Sequence, residues 1–468
     1  LESNVIATRN LPPNAQVSEK HGSWELHVTN IPPQLEEEDA PPLHSLGYRV
    51  LFFYIGPDLA SVDQFWQEAG LEFSAGVDHY AAPDRLKDAV AKIVAPGDTD
   101  EQKVRKIYAA VMKLENTRFT RRRTEEEDKA DNVQIKDAAD VWAQQRGNRQ
   151  QIALLFLGLV RAAGLKAYAM KVTDRDENVF RKAETDWDQL DDLIAIVPIG
   201  GIEMYFDPGE RYCEYGMLHW KHTWTEGVRE TERGTELAAT PPPAAHDTTV
   251  TRNADLTLDA DGQVHGTIRV AMTGNMALIW RQEALVTDEA QVNKDYGDEV
   301  QAAVPSGTTV KMQGFTALTD STQPLVATLE VSGALGTKTG KRTFLPGSFF
   351  EVRAKPRFAA ADRVNPVYLP FTYIMRDEVK VKLPPGLSTE IKPQDAVIPM
   401  GQDGEYTASY RISGAVYQFS RLEMVSRMLY PVKDYPALRD FYQKMNTQDQ
   451  TQVVLAAAPA AAAAPSKQ

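Results

Sequence analysis

The chain has 468 residues and a formal net charge of −14. That length exceeds one compact core and suits about three domains, and the acidity excludes a general nucleic-acid binder, which needs a basic face for phosphates. The single cysteine, Cys213, excludes an intrachain disulfide and a cysteine-rich zinc site, and no apolar run reaches the roughly 18 residues of a membrane-spanning helix.

Residues 1–97 alternate short strand patterns with proline turns. Trp24-Glu25-Leu26-His27-Val28 alternates in the strand manner, and Tyr48–Ile55 reads as a buried strand. The chain opens Leu1-Glu2-Ser3 without methionine and reads as a processed or trimmed piece, with strand structure already begun. Near Asp98 the texture becomes helical. Val104, Ile107, Tyr108, Val111 and Leu114 form one stripe behind Asp98 or Asp100 as cap. The charge block Arg121-Arg122-Arg123, Glu125–Asp128 is a solvated loop or a docking patch.

A second helix is predicted from about Arg149 to Ala163. It is apolar nearly all round, which belongs in the centre of a domain, and Gly164 ends it. Strands are predicted at 166–172, 190–197 and 203–206. Pro241–Ala245 reads as a linker. Beyond it, 254–258 and 264–272 flank Asp261-Gly262 as a hairpin, a helical insertion falls at about 275–286, and strands recur at 379–383, 406–412 and 422–428. One or two β-sandwiches fit that mixture. A short helix at 434–446 follows, and the Ala/Pro-rich 456–468 reads as disordered.

Four segments in order resemble the transglutaminase-like core of the papain-type cysteine enzymes, as found in bacterial proteins that flank it with β-sandwich domains of unknown function. They are the helix at 100–115; Asp137–Trp142 with Gly147-Asn148-Arg149 and the helix ending Arg161-Ala162-Ala163-Gly164; Leu190–Val197; and Met204-Tyr205-Phe206-Asp207-Pro208 with Tyr215-Gly216-Met217-Leu218. The resemblance implies an α+β fold: the end of an N-terminal β-sandwich and its connection over 1–97, the core over 98–240, a sandwich region over 241–433, and a terminal helix and strand over 434–455.

In the family a cysteine opens the buried helix, a histidine opens the next key strand, and an aspartate before proline ends the strand after it. A thiolate is stabilised at a helix N-terminus, the histidine takes its proton, and the aspartate orients the imidazole. Carried onto this chain, the cysteine position falls on Arg149. The histidine position falls on Asp192, with Asp191 as a one-residue alternative. Only Asp207 keeps its type. A guanidinium stays protonated and is no nucleophile, so the resemblance implies a protein without a working triad, a pseudoenzyme. Arg149 is then expected either to pair with Asp192, Asp207 or both, or to stand exposed at the helix start.

Cys213 lies after the last strand of the core and reads as incidental. His219-Trp220-Lys221-His222 has a His-x-x-His spacing that Asp207, Glu210 or Glu214 could extend toward a metal, but two histidines without a clear third ligand are a weak signal. No metal and no cofactor are expected. Trp142, Trp187, Trp220 and Trp224 fall around the family's groove segments, where they line a groove or fill the core. The expected function is a non-catalytic binding or scaffold protein of the bacterial envelope, periplasmic or secreted, holding a peptide, a glycopeptide or an envelope protein. The competing reading is a hydrolase working through Asp191, Asp192 and Asp207, whose carboxyls would then face one cleft at about 5–9.5 Å.

Overall fold

A computed structural model describes residues 3–55, 61–120, 127 and 134–457. The charge block at 121–128, apart from Glu127, and most of the Ala/Pro-rich tail therefore lie outside the described residues. The protein is α+β and divides into two compact units, Leu1–Pro243 and Ala244–Gln468.

The first unit is built on the helix Arg149–Ala162. Asn148 caps it: its side chain accepts from the Gln151 N–H, and Gln151 returns a bond to the Asn148 N–H. Every residue from Ile152 to Val160 is buried, as an all-round apolar helix requires. Gly158 permits the closest approach, since a Cβ there would lie 2.3 Å from the Ala81 carbonyl oxygen. Beside this helix runs a five-stranded antiparallel sheet, in the order Gly234–Ala239, Glu226–Thr231, Tyr168–Val172, Asp192–Ile199, Ile202–Phe206. Leu193, Ala195 and Val197 join the helix core, and Ile194 and Ile196 fill a separate core on the other face with Met170, Val172 and Leu218. That split is the two-residue period of a strand.

Strands are present in the N-terminal region as Ser3–Arg9 paired with Arg49–Ile55 and as the short hairpin Ser18–Lys20, Ser23–Glu25. Residues 62–93 depart from the expected sandwich end: they form the helices Val62–Ala81 and Lys87–Ile93. The first fully buries Trp66, Gly70, Val77 and Ala81, and Val62, Phe65, Phe73 and Tyr80 pack beside them in a stripe at helical spacing. Val77, Leu86, Ala89 and Val90 share one core with Val104, Ile107 and the central helix, so position 97/98 lies inside the first unit. The helix Asp100–Val111 is capped by Thr99, between the two aspartates that the sequence offered.

The second unit holds an eight-stranded sheet in the order Thr308–Thr316, Leu325–Ala334, Gln263–Met272, Thr249–Leu258, Tyr373–Lys382, Val416–Val425, Gly404–Ser413, Ala396–Pro399. Its one parallel contact joins Thr249–Leu258 to Tyr373–Lys382. A four-stranded sheet follows the order Thr337–Thr339, Arg342–Pro346, Gln452–Ala457, Leu387–Ile391. The helical insertion is a pair, Gly274–Val286 and Glu289–Ala303. The terminal helix Tyr435–Asp449 buries Tyr435, Leu438, Phe441, Tyr442 and Met445 in this unit's main core, so position 433/434 lies inside the second unit.

Candidate functional site: a buried chain of alternating charges

Three backbone features converge on one spot. Arg149 is the first residue of the central helix, Asp192 is the first residue of its strand, and Asp207 directly follows the strand ending at Phe206. Phe206 points into the helix core, so Asp207 turns toward the opposite face. The segment after it folds back over that face through Leu218 and ends in the short 3-10 turn Trp220–His222.

His222 is fully buried between the two aspartates. Its Nδ1 lies 2.5 Å from Asp207 Oδ2 and its Nε2 lies 2.7 Å from Asp192 Oδ2. Asp192 also forms an ion pair with Arg149 through its other oxygen. A second Arg149 nitrogen lies 3.3 Å from Glu210 Oε1. The His219 N–H donates to Asp207 Oδ2 at 3.1 Å. Arg149, Asp192, His222 and Asp207 thus form a line of alternating charge, with Glu210 as a branch.

The electrostatics follow from that order. Burial works against a charged His222, yet Asp207 and Asp192 overcome it and hold the imidazole well above its ordinary range. Burial also opposes ionisation of Asp192, but His222 and Arg149 keep that carboxyl below its usual value. For Asp207, burial wins and its pKa is raised. His219, beside them, is pushed down to about 3 by burial and is neutral. Three carboxylates and two cations leave the cluster short of positive charge, so a cation at the head of a helix, which costs about 0.3–1 kcal/mol against the dipole, is compensated by its partners.

Of the two fates open to Arg149, the structure gives a paired side chain, 23% exposed. Its partners are Asp192 and Glu210, and its link to Asp207 runs through His222. Asp191, the residue before the strand, is exposed. Both ring nitrogens of His222 are taken by carboxylates, and the Lys221 N–H donates to His219 Nδ1 at 3.2 Å, so this pair of histidines does not present itself to a metal. Among the described residues no group of three or more His, Cys, Asp or Glu side chains is placed to hold one. Cys213 is buried, its Sγ donates to the Met217 carbonyl oxygen at 3.4 Å, and burial pushes its thiol well above the ordinary value.

The four tryptophans sit in different surroundings. Trp142 packs on the helix core. Trp187 belongs to a cluster with Trp66 and Phe73. Trp220 lies under the Arg175 guanidinium at 5.1 Å, and Trp224 is 40% exposed. Sequence reasoning missed Glu210 as a partner of Arg149 and the central place of His222. The signal for His222 was its position in the segment that returns after Asp207-Pro208, where a histidine meets the strand ends only in three dimensions.

Comparison with known proteins adds the following. Residues 341–455 match the family model DUF3858, described as a domain of unknown function with a solved structure. None of the curated proteins matches the chain. The chain is similar to a crystal structure from Parabacteroides distasonis described as a "putative protease", with a TM-score of 0.52 and 12% identity over 97% of this chain and 70% of that one. At that identity the likeness is one of fold. No helix among the described residues is long and apolar enough to cross a membrane.

Proposed function

We propose that the chain is a catalytically inactive transglutaminase-like protein whose thiol–imidazole site has been replaced by an ion-pair chain, and that it serves as a binding or scaffold protein of the bacterial envelope, periplasmic or secreted. The observation that carries the reading is His222, held at both ring nitrogens by Asp192 and Asp207 while Arg149 occupies the head of the central helix. An imidazole bound on both sides and held charged has no lone pair with which to accept a proton. The chain's one thiol is buried with its pKa raised, which supports a site without a thiolate nucleophile. The order of elements, central helix and then antiparallel strands bearing Asp192 and Asp207, supports a transglutaminase-like core, and the fold likeness to the Parabacteroides structure agrees with it. We read the eight- and four-stranded sheets of the second unit as its sandwich region.

The carboxylate-hydrolase reading draws less support. Asp192 and Asp207 are 2% and 1% exposed and share one imidazole, whereas a hydrolytic pair must face an open cleft. Asp191 is exposed. The test is turnover of fluorogenic peptides and of a glutamine–amine acyl-transfer pair, with and without a thiol alkylator. The proposal expects none. Turnover abolished by Cys213→Ser or by Asp192→Asn would overturn it. Pull-down of peptides and peptidoglycan fragments on the immobilised full chain tests the binding role, for which a peptide, glycopeptide or envelope protein is the proposed partner.

A further inference from the structure

Residues 173–191 join two neighbouring antiparallel strands, Tyr168–Val172 and Asp192–Ile199. Paired strands need a connection of only about two to five residues, and a long one with little regular structure is commonly a functional loop. This one holds a single 3-10 turn, Trp187–Gln189. Its second half, 180–190, lies as a strap along a small core separate from that of the central helix. Trp66, Phe65 and Phe73 of the helix Val62–Ala81 and Val228 of the sheet form that core with Phe180, Trp187 and Leu190 of the strap.

The strap is held as an extended peptide is held in a groove. The Phe180 ring meets Trp66 edge-on at 5.1 Å, and Trp187 lies 5.8 Å from Phe73 and 6.1 Å from Trp66. Between these two aromatic anchors the Trp66 indole N–H donates to the Lys182 carbonyl oxygen at 2.8 Å. Arg9, from the N-terminal strand, takes the Glu184 carboxylate through Nε at 2.9 Å and Nη2 at 2.6 and 2.5 Å. Its Nη1 donates to the His44 carbonyl oxygen at 3.2 Å, which orients the guanidinium independently of the strap. Tryptophan and arginine are the residue types that dominate binding hot spots. The strap also keeps its own shape, because the Gln189 side chain accepts from the Arg181 N–H at 2.9 Å and donates to the Glu184 carbonyl oxygen at 2.7 Å. Its hold on the groove is weak for its area. The Arg9–Glu184 pair is buried on both sides, where desolvation offsets much of the attraction. The Thr185 hydroxyl is buried without a hydrogen-bond partner, which costs about 1–3 kcal/mol.

We propose that the strap 180–190 is a tethered occupant of a peptide-binding groove, and that the groove's ligand is an extended peptide with a carboxylate between two aromatic side chains. Such a peptide takes over the strap's contacts one for one: aromatic rings on Trp66 and Phe73, a carbonyl oxygen on the Trp66 indole, a carboxylate on Arg9. The strap's exposed residues Arg181, Lys182 and Ala183 mark where displacement starts. The inference rests on the binding role proposed above and gives it a ligand class and a closed state.

The test is fluorescence anisotropy with a labelled synthetic peptide of residues 179–190 added to the full chain. Glu184→Gln in the protein loosens the strap and leaves Arg9 to the probe, so the probe is expected to bind this variant about tenfold more tightly than wild type. A second probe with glutamine at the Glu184 position is expected to lose that gain. No binding to either protein, equal affinity for the two proteins, or equal binding of the two probes overturns the proposal. Should Glu184→Gln fail to fold, hydrogen exchange of isotopically labelled wild type in excess probe serves instead. Protection over 181–190 is then expected to fall about tenfold while that of Ile152–Val160 stays, and an unchanged strap is equally fatal. Failure of the probe while the immobilised chain still retains other peptides or peptidoglycan fragments strikes the strap proposal alone, and failure of both strikes the binding role.

Discussion

Replacing His222 by leucine removes the central cation of the buried chain and little else. Asp192 keeps Arg149, but Asp207 is left with the His219 N–H alone. Removing one partner of a buried pair costs about 3–5 kcal/mol because the other charge stays buried. Asp207 is already raised by burial, so it can take a proton and hold the cost toward the lower end. His222→Gln, which retains N–H donors without charge, should lie between leucine and the wild type. The assay is urea unfolding followed by tryptophan fluorescence, since six of the seven tryptophans lie in the first unit. The same titration has a pH signature. A histidine held above its ordinary value contributes stability that is complete below about 6.5 and is lost as pH rises through its folded value. The first unit should therefore weaken steadily above pH 6.5 in the wild type, and this slope should vanish in His222→Leu. A loss below about 1 kcal/mol, the range of an ordinary surface change, would mean that His222 is not a buried cation and would refute the charge-chain argument.

Asp192 supplies the opposite limb: held low by His222 and Arg149, it contributes stability present above about 3.9 and lost on acidification through its folded value, as an acid-unfolding titration of Asp192→Asn against wild type would reveal. Arg149→Ala should cost about 2–3 kcal/mol, less than a fully buried pair because the side chain is 23% exposed; Arg149→Met, which refills the volume, should cost less, and equal stability of all three proteins in chemical denaturation would count against the pair. Gly209→Ala places a Cβ 2.6 Å from Arg149 Cγ and 2.7 Å from its carbonyl oxygen, so the helix start must move, at about 1–3 kcal/mol in thermal or urea melts. Cys213 should resist a thiol reagent such as Ellman's in the native protein and react at once in denaturant; rapid labelling under native conditions would show that the thiol is accessible.

The sequence by itself determined the pieces whose pattern is local. The central helix was legible because apolar residues fill every face from Ile152 to Val160, and the strands at Asp192–Ile199 and Ile202–Phe206 because short apolar runs are bounded by aspartate, glycine and proline. The hairpin Thr249–Leu258, Gln263–Met272 announced itself through Asp261-Gly262 at its turn. That an arginine opens the central helix was also readable, as a matter of residue type at Arg149. The helix Val62–Ala81 carries a stripe at helical spacing as well, Val62, Phe65, Trp66, Phe73, Val77 and Tyr80, though it fully buries only Trp66, Gly70, Val77 and Ala81. Of the partners of Arg149, Asp192 was among the sequence's expectations, and Glu210, 61 positions along the chain, was not. His222, which joins Asp192 to Asp207, stands 73 positions from Arg149, and only the return of the segment after Asp207 over the sheet face brings Glu210 and His222 to this spot. Tertiary structure decided that His222 lies between Asp192 and Asp207, because a buried cation is fixed by the carboxylates that surround it and not by its neighbours in the chain.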